Sequence, residues 1–169
     1  MANSGGSTDF GVPIQVSASA GTANYAIINN DVVAFHGYSG IRTIFDNSFS
    51  AQPLTVNLTV TGNSLNEPQT TNQVNFGLTA GFLFESSGDA VVTMRFEDND
   101  FADGDIQNLR DIHFRPGSTG QLRVFGYTGT TIAQFEAFLL SENNFPGTVV
   151  NSGGDPTKIV NSPTAPPLP

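Results

Sequence analysis

The densest group of potential metal ligands in the chain is the acidic segment FEDNDFADGD. Its carboxylates are those of Glu97, Asp98, Asp100, Asp103 and Asp105. Closely spaced carboxylates are the oxygen ligands that Ca²⁺ prefers, so the four aspartates are candidate calcium ligands. The spacing differs from that of an EF-hand loop, because Gly104 is out of register with Asp98 and Asp100. A solvated acidic turn is therefore favoured over a metal site, and no other cofactor is predicted.

A second candidate site is a row of polar residues in the strand-like segment RDIHFRP. Alternation along a strand places Asp111, His113 and Arg115 on the face opposite two apolar side chains. We predict that this polar face is exposed, and together with Arg95 it is the candidate binding face. No GxSxG or comparable nucleophile motif accompanies the histidine, so an ordinary solvent-facing strand is favoured over a hydrolytic site.

The elements that would position these groups are short strands that end in asparagine. The segment LTVNLTVT alternates apolar and polar residues before it turns at Gly62 and Asn63, as a half-buried strand does. The pattern apolar-x-apolar-x-x-Asn recurs along the chain at roughly 16 to 20 residues or twice that interval. We predict that its asparagines form one hydrogen-bonded structural ladder. These asparagines are Asn30, Asn47, Asn63 and Asn99.

Strands at this spacing predict an all-β fold, a right-handed parallel β-helix or solenoid of about five coils with a short C-terminal capping α-helix. Coils of such a fold stack at about 4.8 Å, so that equivalent asparagines lie above one another and share amide hydrogen bonds. An antiparallel sandwich or jelly roll rich in Asn turns is the alternative, because Asn is common in any β-turn.

The order of segments along the chain resembles a known family. Strands that end in Asn turns (GIRTIFDNSF, LTVNLTVTGNSL, VVTMRFEDNDF) are followed by DIHFRP, by FGYTG and by an Asn-Asn pair in SENNF. This order is similar to the C-terminal part of the right-handed β-helix domains of very large, adhesin-like bacterial surface proteins of the autotransporter-passenger type. The resemblance covers residues 25 to 165 and implies an extracellular or cell-surface scaffold. It identifies no ligand.

The chain divides into four predicted segments. Residues 1–16 are a linker or N-terminal strand, residues 17–129 form the coils, residues 130–145 form the capping helix, and residues 146–169 are an extended exit rich in Pro and Gly. The segment TTIAQFEAFLLSEN fits both the Asn pattern and an amphipathic helix with Thr130 or Thr131 as its N-cap. We predict the helix, which would make the match at Asn143 coincidental.

Composition limits the classes of partner. The 169 residues carry a net charge of −9, and only 12% of them are charged. The six basic residues are scattered rather than clustered, so we predict neither nucleic-acid binding nor an anionic membrane surface. No apolar run reaches the roughly 20 residues of a transmembrane helix. The N-terminus lacks the features of a signal peptide, so we expect any export signal to lie outside this chain.

The function that these observations favour is a non-catalytic structural or adhesive module of an extracellular bacterial surface protein. Its expected partners are adjacent domains of a longer chain or other copies of itself, stacked end to end into fibres, with glycans as a further partner. The alternative is a polysaccharide-binding or polysaccharide-degrading protein of the lyase, glycosidase or phage-tailspike type. A glycosidase needs two facing carboxylates roughly 5 to 10 Å apart. The sequence predicts no such pair.

Overall fold

The computed structural model describes residues 14–33, 39–66, 80–100, 110–117, 119–144, 149–151 and 155–169. In chain order the elements are β1 (Ile14–Ala18), β2 (Gly21–Ile28), β3 (Asp31–Val33), β4 (Ser39–Asp46), β5 (Leu54–Thr61), β6 (Ser64–Asn66), β7 (Ala80–Ser87), β8 (Val91–Glu97), β9 (Arg110–Arg115), β10 (Gln121–Phe125), α1 (Ile132–Glu142), β11 (Val149–Asn151) and β12 (Ile159–Ser162). A 3₁₀ turn, Pro156–Lys158, precedes β12.

The strands alternate between two parallel sheets. The first sheet has the order β1-β4-β7-β9-β11, and the second has the order β12-β10-β8-β5-β2. A third, two-stranded parallel sheet pairs β3 with β6. Each strand pairs with strands that lie two or three strands away in chain order. Equivalent residues therefore lie side by side across each sheet.

Strict alternation of side chains explains how both sheets share one core. In β5, the side chains of Leu54, Val56, Leu58 and Val60 are all buried. Between them, Thr55 lies on the opposite, exposed face. The same alternation on neighbouring strands lines up one apolar side chain beside another, so the space between the two sheets fills with a continuous apolar cluster. Burial of this cluster is the main favourable term in the stability of the fold.

Aromatic side chains from the first sheet stack along the core. The rings of Phe45 and Phe84 are 6.0 Å apart between centroids, those of Phe84 and Phe114 are 5.3 Å apart, and Phe135 of α1 lies 5.2 Å from Phe114. Each of these rings is fully buried. Offset and edge-to-face pairs at such distances add to the energy of area burial, so the stack links β4, β7, β9 and the helix.

This arrangement corrects the prediction of a right-handed parallel β-helix, or solenoid, of about five coils. The predicted coil was one strand with its Asn turn, repeated at roughly 16 to 20 residues. The observed strands instead alternate between two five-stranded parallel sheets, and the third sheet has two strands within the described ranges. The asparagines that hydrogen bond to one another are 33, 36 and 44 positions apart. Both sheets use the same apolar-polar pattern, so the sequence pattern merged their strands into a single series.

The antiparallel sandwich that served as the alternative is also wrong. All pairings between the described strands are parallel. Parallel neighbours need a connection longer than a hairpin turn. Here, that connection is supplied by a strand of the other sheet.

The helix α1 begins where the sequence places an N-cap. Thr131 has extended backbone angles and accepts a hydrogen bond from the backbone N–H of Gln134, whose side chain in turn bonds the backbone N–H of Thr131. This capping box satisfies donors that the first turn of a helix leaves free. Phe135 and Leu139 of α1 join the core. Within the described ranges, no helix has the length and apolar character needed to cross a membrane.

The terminal segments contribute strands to the sheets. In the segment predicted to be a linker or N-terminal strand, the last three residues belong to β1, which pairs in register with β4. In the predicted extended exit, β11 pairs with β9 and β12 pairs with β10. Residues 1–13 lie outside the part of the chain that the structure describes.

Candidate functional site

Four asparagine side chains, three of them at turns after second-sheet strands and one at the end of α1, form a hydrogen-bonded ladder. The amide nitrogen Nδ2 of Asn30 donates to Oδ1 of Asn63, Nδ2 of Asn63 donates to Oδ1 of Asn99, and Nδ2 of Asn99 donates to Oδ1 of Asn143, each over 2.8 Å. Each accepting Oδ1 also receives the backbone N–H of the preceding ladder residue, at 3.0 to 3.1 Å. The ladder is therefore a chain of amide dipoles that all point the same way.

The ladder also satisfies backbone carbonyl groups at the ends of strands in the second sheet. Asn63 Nδ2 lies 2.8 Å from the carbonyl oxygen of Ile27, and Asn99 Nδ2 lies 3.0 Å from that of Val60. At the last step, Asn143 Nδ2 donates to the carbonyl oxygen of Leu139 over 2.9 Å. A buried carbonyl without a donor would destabilise the fold, so each asparagine fixes the turn that follows its strand.

The residue before each of the first three ladder asparagines has a positive φ angle. These residues are Asn29 (φ 54°), Gly62 (φ 65°) and Asp98 (φ 57°). Gly, Asn and Asp are the residues that enter the left-handed region at least cost. One left-handed residue turns the chain sharply, so the next side chain points back along the turn to the neighbouring asparagine.

The helix and the ladder are compatible, contrary to the sequence-based expectation for Asn143. This residue is the C-cap of α1, in an extended conformation, and its Oδ1 accepts from Asn99. The match of SENN to the Asn pattern is therefore structural and not coincidental. The helix lies in the chain between β10, which pairs with β8, and this last ladder residue.

Asn47 is the predicted ladder residue that the structure places elsewhere. It follows β4 of the first sheet, whereas Asn30, Asn63 and Asn99 each lie beyond the end of a second-sheet strand. Its side-chain oxygen is buried and has no hydrogen-bond partner in the described part of the chain. That oxygen instead lies against Gly88, which follows the next strand of the same sheet. The prediction for Asn47 is therefore wrong.

The acidic segment divides at the limit of the described residues. Asp98 and Asp100 are both exposed, and Asp100 Oδ1 accepts a hydrogen bond from Nδ2 of Asn144 over 3.1 Å. Asp103 and Asp105 lie outside the described residues. Among the residues that are described, no group of three or more His, Asp and Glu side chains is placed to hold a metal ion. The calcium hypothesis therefore gains no support from Asp98 and Asp100 alone.

The structure does not bring the predicted binding face together. Arg95 lies on β8 of the second sheet, whereas Asp111, His113 and Arg115 lie on β9 of the first sheet. His113 is fully buried, as is its register neighbour Leu83 on β7. The expectation of a solvent-facing histidine is therefore wrong, because this part of the outer face of the first sheet is covered. The side chain of Asp111 lies outside what the structure describes.

The two arginines of the predicted face are both engaged in ion pairs. Arg95 hydrogen bonds Glu97 through Nε and Nη2, and this bond raises the pKa of the Arg95 guanidinium above its usual value. Arg115 Nη1 lies 2.8 Å from Oε1 of Glu85. The other carboxylate oxygen of Glu85 accepts from Nη2 of Arg42, also at 2.8 Å. The single carboxylate of Glu85 thus bridges two guanidinium groups from the strands on either side of it.

Sequence reasoning missed this Arg42–Glu85–Arg115 bridge. Arg42 and Glu85 are 43 positions apart, and Glu85 and Arg115 are 30 apart. Their proximity follows from the register of β4, β7 and β9. The sequence does show charges of opposite sign at outward positions of these three strands, which could have indicated the bridge. It does not show that the three strands are neighbours.

The outer face of the second sheet carries rows of uncharged polar side chains. In one row Thr22 lies beside Thr55, and in the next Asn24 lies beside Asn57. Asn57 Nδ2 donates to Oδ1 of Asn24 over 2.8 Å on the exposed surface. Thr59, further along β5 on the same face, is buried, and its hydroxyl has no hydrogen-bond partner in the described ranges. The sequence predicted that Asn57 faces outward, but not that it has a matching neighbour.

Comparison with known proteins finds no matching family model, no similar curated protein and no similar solved structure.

Proposed function

We propose that this chain is a non-catalytic structural or adhesive module of an extracellular bacterial surface protein. The observation that carries the proposal is the unbroken stacking of like residues through the molecule. Four ladder asparagines and the buried aromatic rings follow one another from the first turn to α1. A stack in which each part fixes its neighbour is the construction of a stiff scaffold.

The state of the charged groups supports a non-catalytic role. A glycosidase needs one carboxylate as acid and a second as base or nucleophile. Both carboxylate oxygens of Glu85 are engaged by guanidinium groups, those of Arg42 and Arg115, each at 2.8 Å. A lyase needs a general base, a group that is deprotonated in the free enzyme and takes a proton from the substrate. Arg95, whose pKa is raised by its hydrogen bond to Glu97, is poorly suited to that role.

The extracellular assignment is supported by sequence. The order of segments resembles large bacterial surface proteins, and the chain is rich in Thr, Ser and Asn with few charges. Its location is tested by trypsin treatment of intact cells that produce the protein. Release of the peptide that follows Lys158, which ends the 3₁₀ turn before β12, is the expected result with unbroken cells. Release only after lysis contradicts a surface location.

Catalysis is tested by incubating the purified chain with pectin, alginate and chitin oligomers. We expect no new reducing or unsaturated ends. Turnover that is abolished by Arg95→Ala or Glu97→Gln, with the far-ultraviolet circular dichroism unchanged, would overturn the non-catalytic proposal.

End-to-end self-association is the second part of the proposal. Among the strands that the structure describes, β1 and β2 lie at the edges of their sheets, and edge strands present backbone groups that can pair with another chain. Oδ1 of Asn30 has no donor within the described ranges, so this end of the ladder has an open acceptor. Light scattering over a range of concentrations tests the idea, with Ile28→Lys on the exposed edge as the disrupting variant. A monomer at every concentration, with and without the substitution, rules it out.

A further inference from the structure

The outer face of β2 and β5 combines regular spacing with absence of charge. Its eight outward positions, in register across the two strands, hold no Asp, Glu, Lys or Arg. They are Thr22, Asn24, Ala26, Ile28, Thr55, Asn57, Thr59 and Thr61. This neutrality contrasts with the net charge of −9 on the whole chain. A nucleic acid or a charged polysaccharide would need paired cations that these two strands do not offer.

Several polar groups on this face keep hydrogen-bonding capacity. The exposed hydroxyls of Thr22 and Thr55 make no hydrogen bond with any part of the chain that the structure describes. The Asn24–Asn57 pair uses one donor of Asn57 and one acceptor of Asn24, which leaves Nδ2 of Asn24 and Oδ1 of Asn57 open. Hydroxyl and amide groups both donate and accept, as sugar hydroxyls do.

The spacing of these groups indicates a ligand that repeats. Parallel strands lie about 4.8 Å apart, and residues on one face of a strand recur at roughly 6.6 Å. Thr and Asn rows built on these two distances form a flat lattice of like groups. A single small molecule would need a concave pocket instead. A linear polymer can place one unit after another along the lattice.

We propose that the outer face of β2 and β5 binds an extended, neutral polysaccharide chain. The proposal rests on the adhesive function proposed above and gives it a site and a ligand class. Neutral hydroxyl groups of the polymer would exchange hydrogen bonds with Thr22, Asn24, Thr55 and Asn57. Since the face is shallow and carries no acid–base pair, it would bind the polymer without cleaving it.

Introduction of a carboxylate on this face tests the proposal. Thr22→Glu and Thr55→Glu each place an unpaired charge where a neutral polymer would cover it. The matched control is Ser17→Glu, which places the same charge at an exposed strand position of the first sheet. Thr55→Ser, which keeps the hydroxyl, is the conservative variant. Unchanged circular dichroism and thermal midpoints confirm that all four variants fold.

The probes are insoluble cellulose, chitin and mannan, with alginate as the charged polymer, in sedimentation assays with the full chain. We expect at least one neutral polymer to retain the wild-type chain, and each Glu variant of the face to bind it about tenfold more weakly. Ser17→Glu and Thr55→Ser should bind as the wild type does. Binding by Thr22→Glu and Thr55→Glu that is as tight as that of the wild type would overturn the proposal.

Two other results would overturn it as well. They are no retention by any of the three neutral polymers, and preferential retention by alginate. None of these results affects the trypsin test for surface location. Failure of the face and failure of the surface function are therefore separate outcomes.

Discussion

Two turns of this molecule contain asparagines in nearly the same sequence context, but their surroundings differ. After β5, Asn63 is buried within the ladder, where its side chain contacts asparagines on both sides. After β4, Asn47 is also buried, but its side-chain oxygen meets Gly88 and no donor within the described ranges. The difference shows that an Asn turn is stabilised by what lies in register beside it, and not by its own sequence.

The largest effect is expected at the centre of the ladder. Asn63→Asp removes the amide hydrogens that bond the carbonyl of Ile27 and Oδ1 of Asn99, and places a buried carboxylate against both acceptors. We expect a loss of about 3 kcal/mol or more in the free energy of unfolding. Urea denaturation at neutral pH measures it.

The control for this variant is Asn57→Asp, on the exposed face. It loses one hydrogen bond, to Asn24, at a position that water reaches. We expect a change of about 1 kcal/mol or less. Equal losses in the free energy of unfolding at the two sites would mean that the ladder contributes no more to stability than a hydrogen bond on the exposed surface does.

Much of the local structure could be predicted from sequence. Alternation in LTVNLTVT gives the strand β5 and the inward direction of Leu58, and Thr131 was one of two predicted N-caps. These features depend on residues a few positions apart. Local periodicity and local capping are what a single sequence reports best.

The pairing of the strands could not be predicted in the same way. Asn47 follows the same pattern as Asn63 except that Arg42 stands at the first apolar position, yet Asn47 lies beyond a strand of the first sheet and Asn63 beyond a strand of the second. His113 alternates as an exposed residue would, yet it is buried because that part of the outer face is covered. Both errors arise because the pattern records which residues alternate, and not what packs against each face.

The next largest effect separates two glycines with positive φ. A methyl group at Gly88 would contact Oδ1 of Asn47 and also the backbone nitrogen of Ser48, at 2.8 Å. A methyl group at Gly62 would come into close contact only with Oδ1 of the exposed Asn29 side chain, which can rotate away. Backbone cannot move aside as a side chain can. We therefore expect Gly88→Ala to lower the free energy of unfolding by roughly 2 kcal/mol, and Gly62→Ala by about 1 kcal/mol.

Thermal unfolding of the two Gly→Ala variants, measured in parallel, checks this order. Both variants share the strain of a left-handed residue with a side chain, so their difference isolates the contact with the backbone. A loss in Gly62→Ala as large as that in Gly88→Ala would show that the Asn29 side chain is held rigidly, and that the two turns are alike after all.

A smaller effect is expected when Asn47 itself is shortened. Asn47→Ala removes an oxygen that makes no hydrogen bond in the described ranges, together with part of a buried side chain. The lost packing and the relief of an unpaired carbonyl oppose each other, so we expect a change of about 1 kcal/mol or less. Asn63→Ala, measured in the same urea series, is the comparison and should be destabilised several times more. A loss at Asn47 as large as that at Asn63 would place both turns in one class.

The smallest effect concerns Asp46, which precedes Asn47 in the same turn. A hydrogen bond from the Ser87 side chain, and then one from the backbone N–H of Ser48, lower the pKa of Asp46 below its ordinary value. A carboxylate with a lowered folded-state pKa adds stability above its unfolded pKa, about 3.9, and this contribution is lost as the pH falls through the folded-state pKa. Asp46→Asn should therefore reduce stability slightly at pH 6, and should lose less on going from pH 6 to pH 3 than the wild type does. Thermal midpoints at both pH values test this, and Asp155→Asn, which removes a carboxylate whose pKa is likewise lowered by Thr157 outside both turns, is the control.

Because water reaches Asp46, salt should weaken its effect, whereas the ladder at Asn63 carries no charge and should respond little to salt. A wild-type pH dependence that persists unchanged in Asp46→Asn would show that Ser87 and Ser48 hold this turn without the carboxylate.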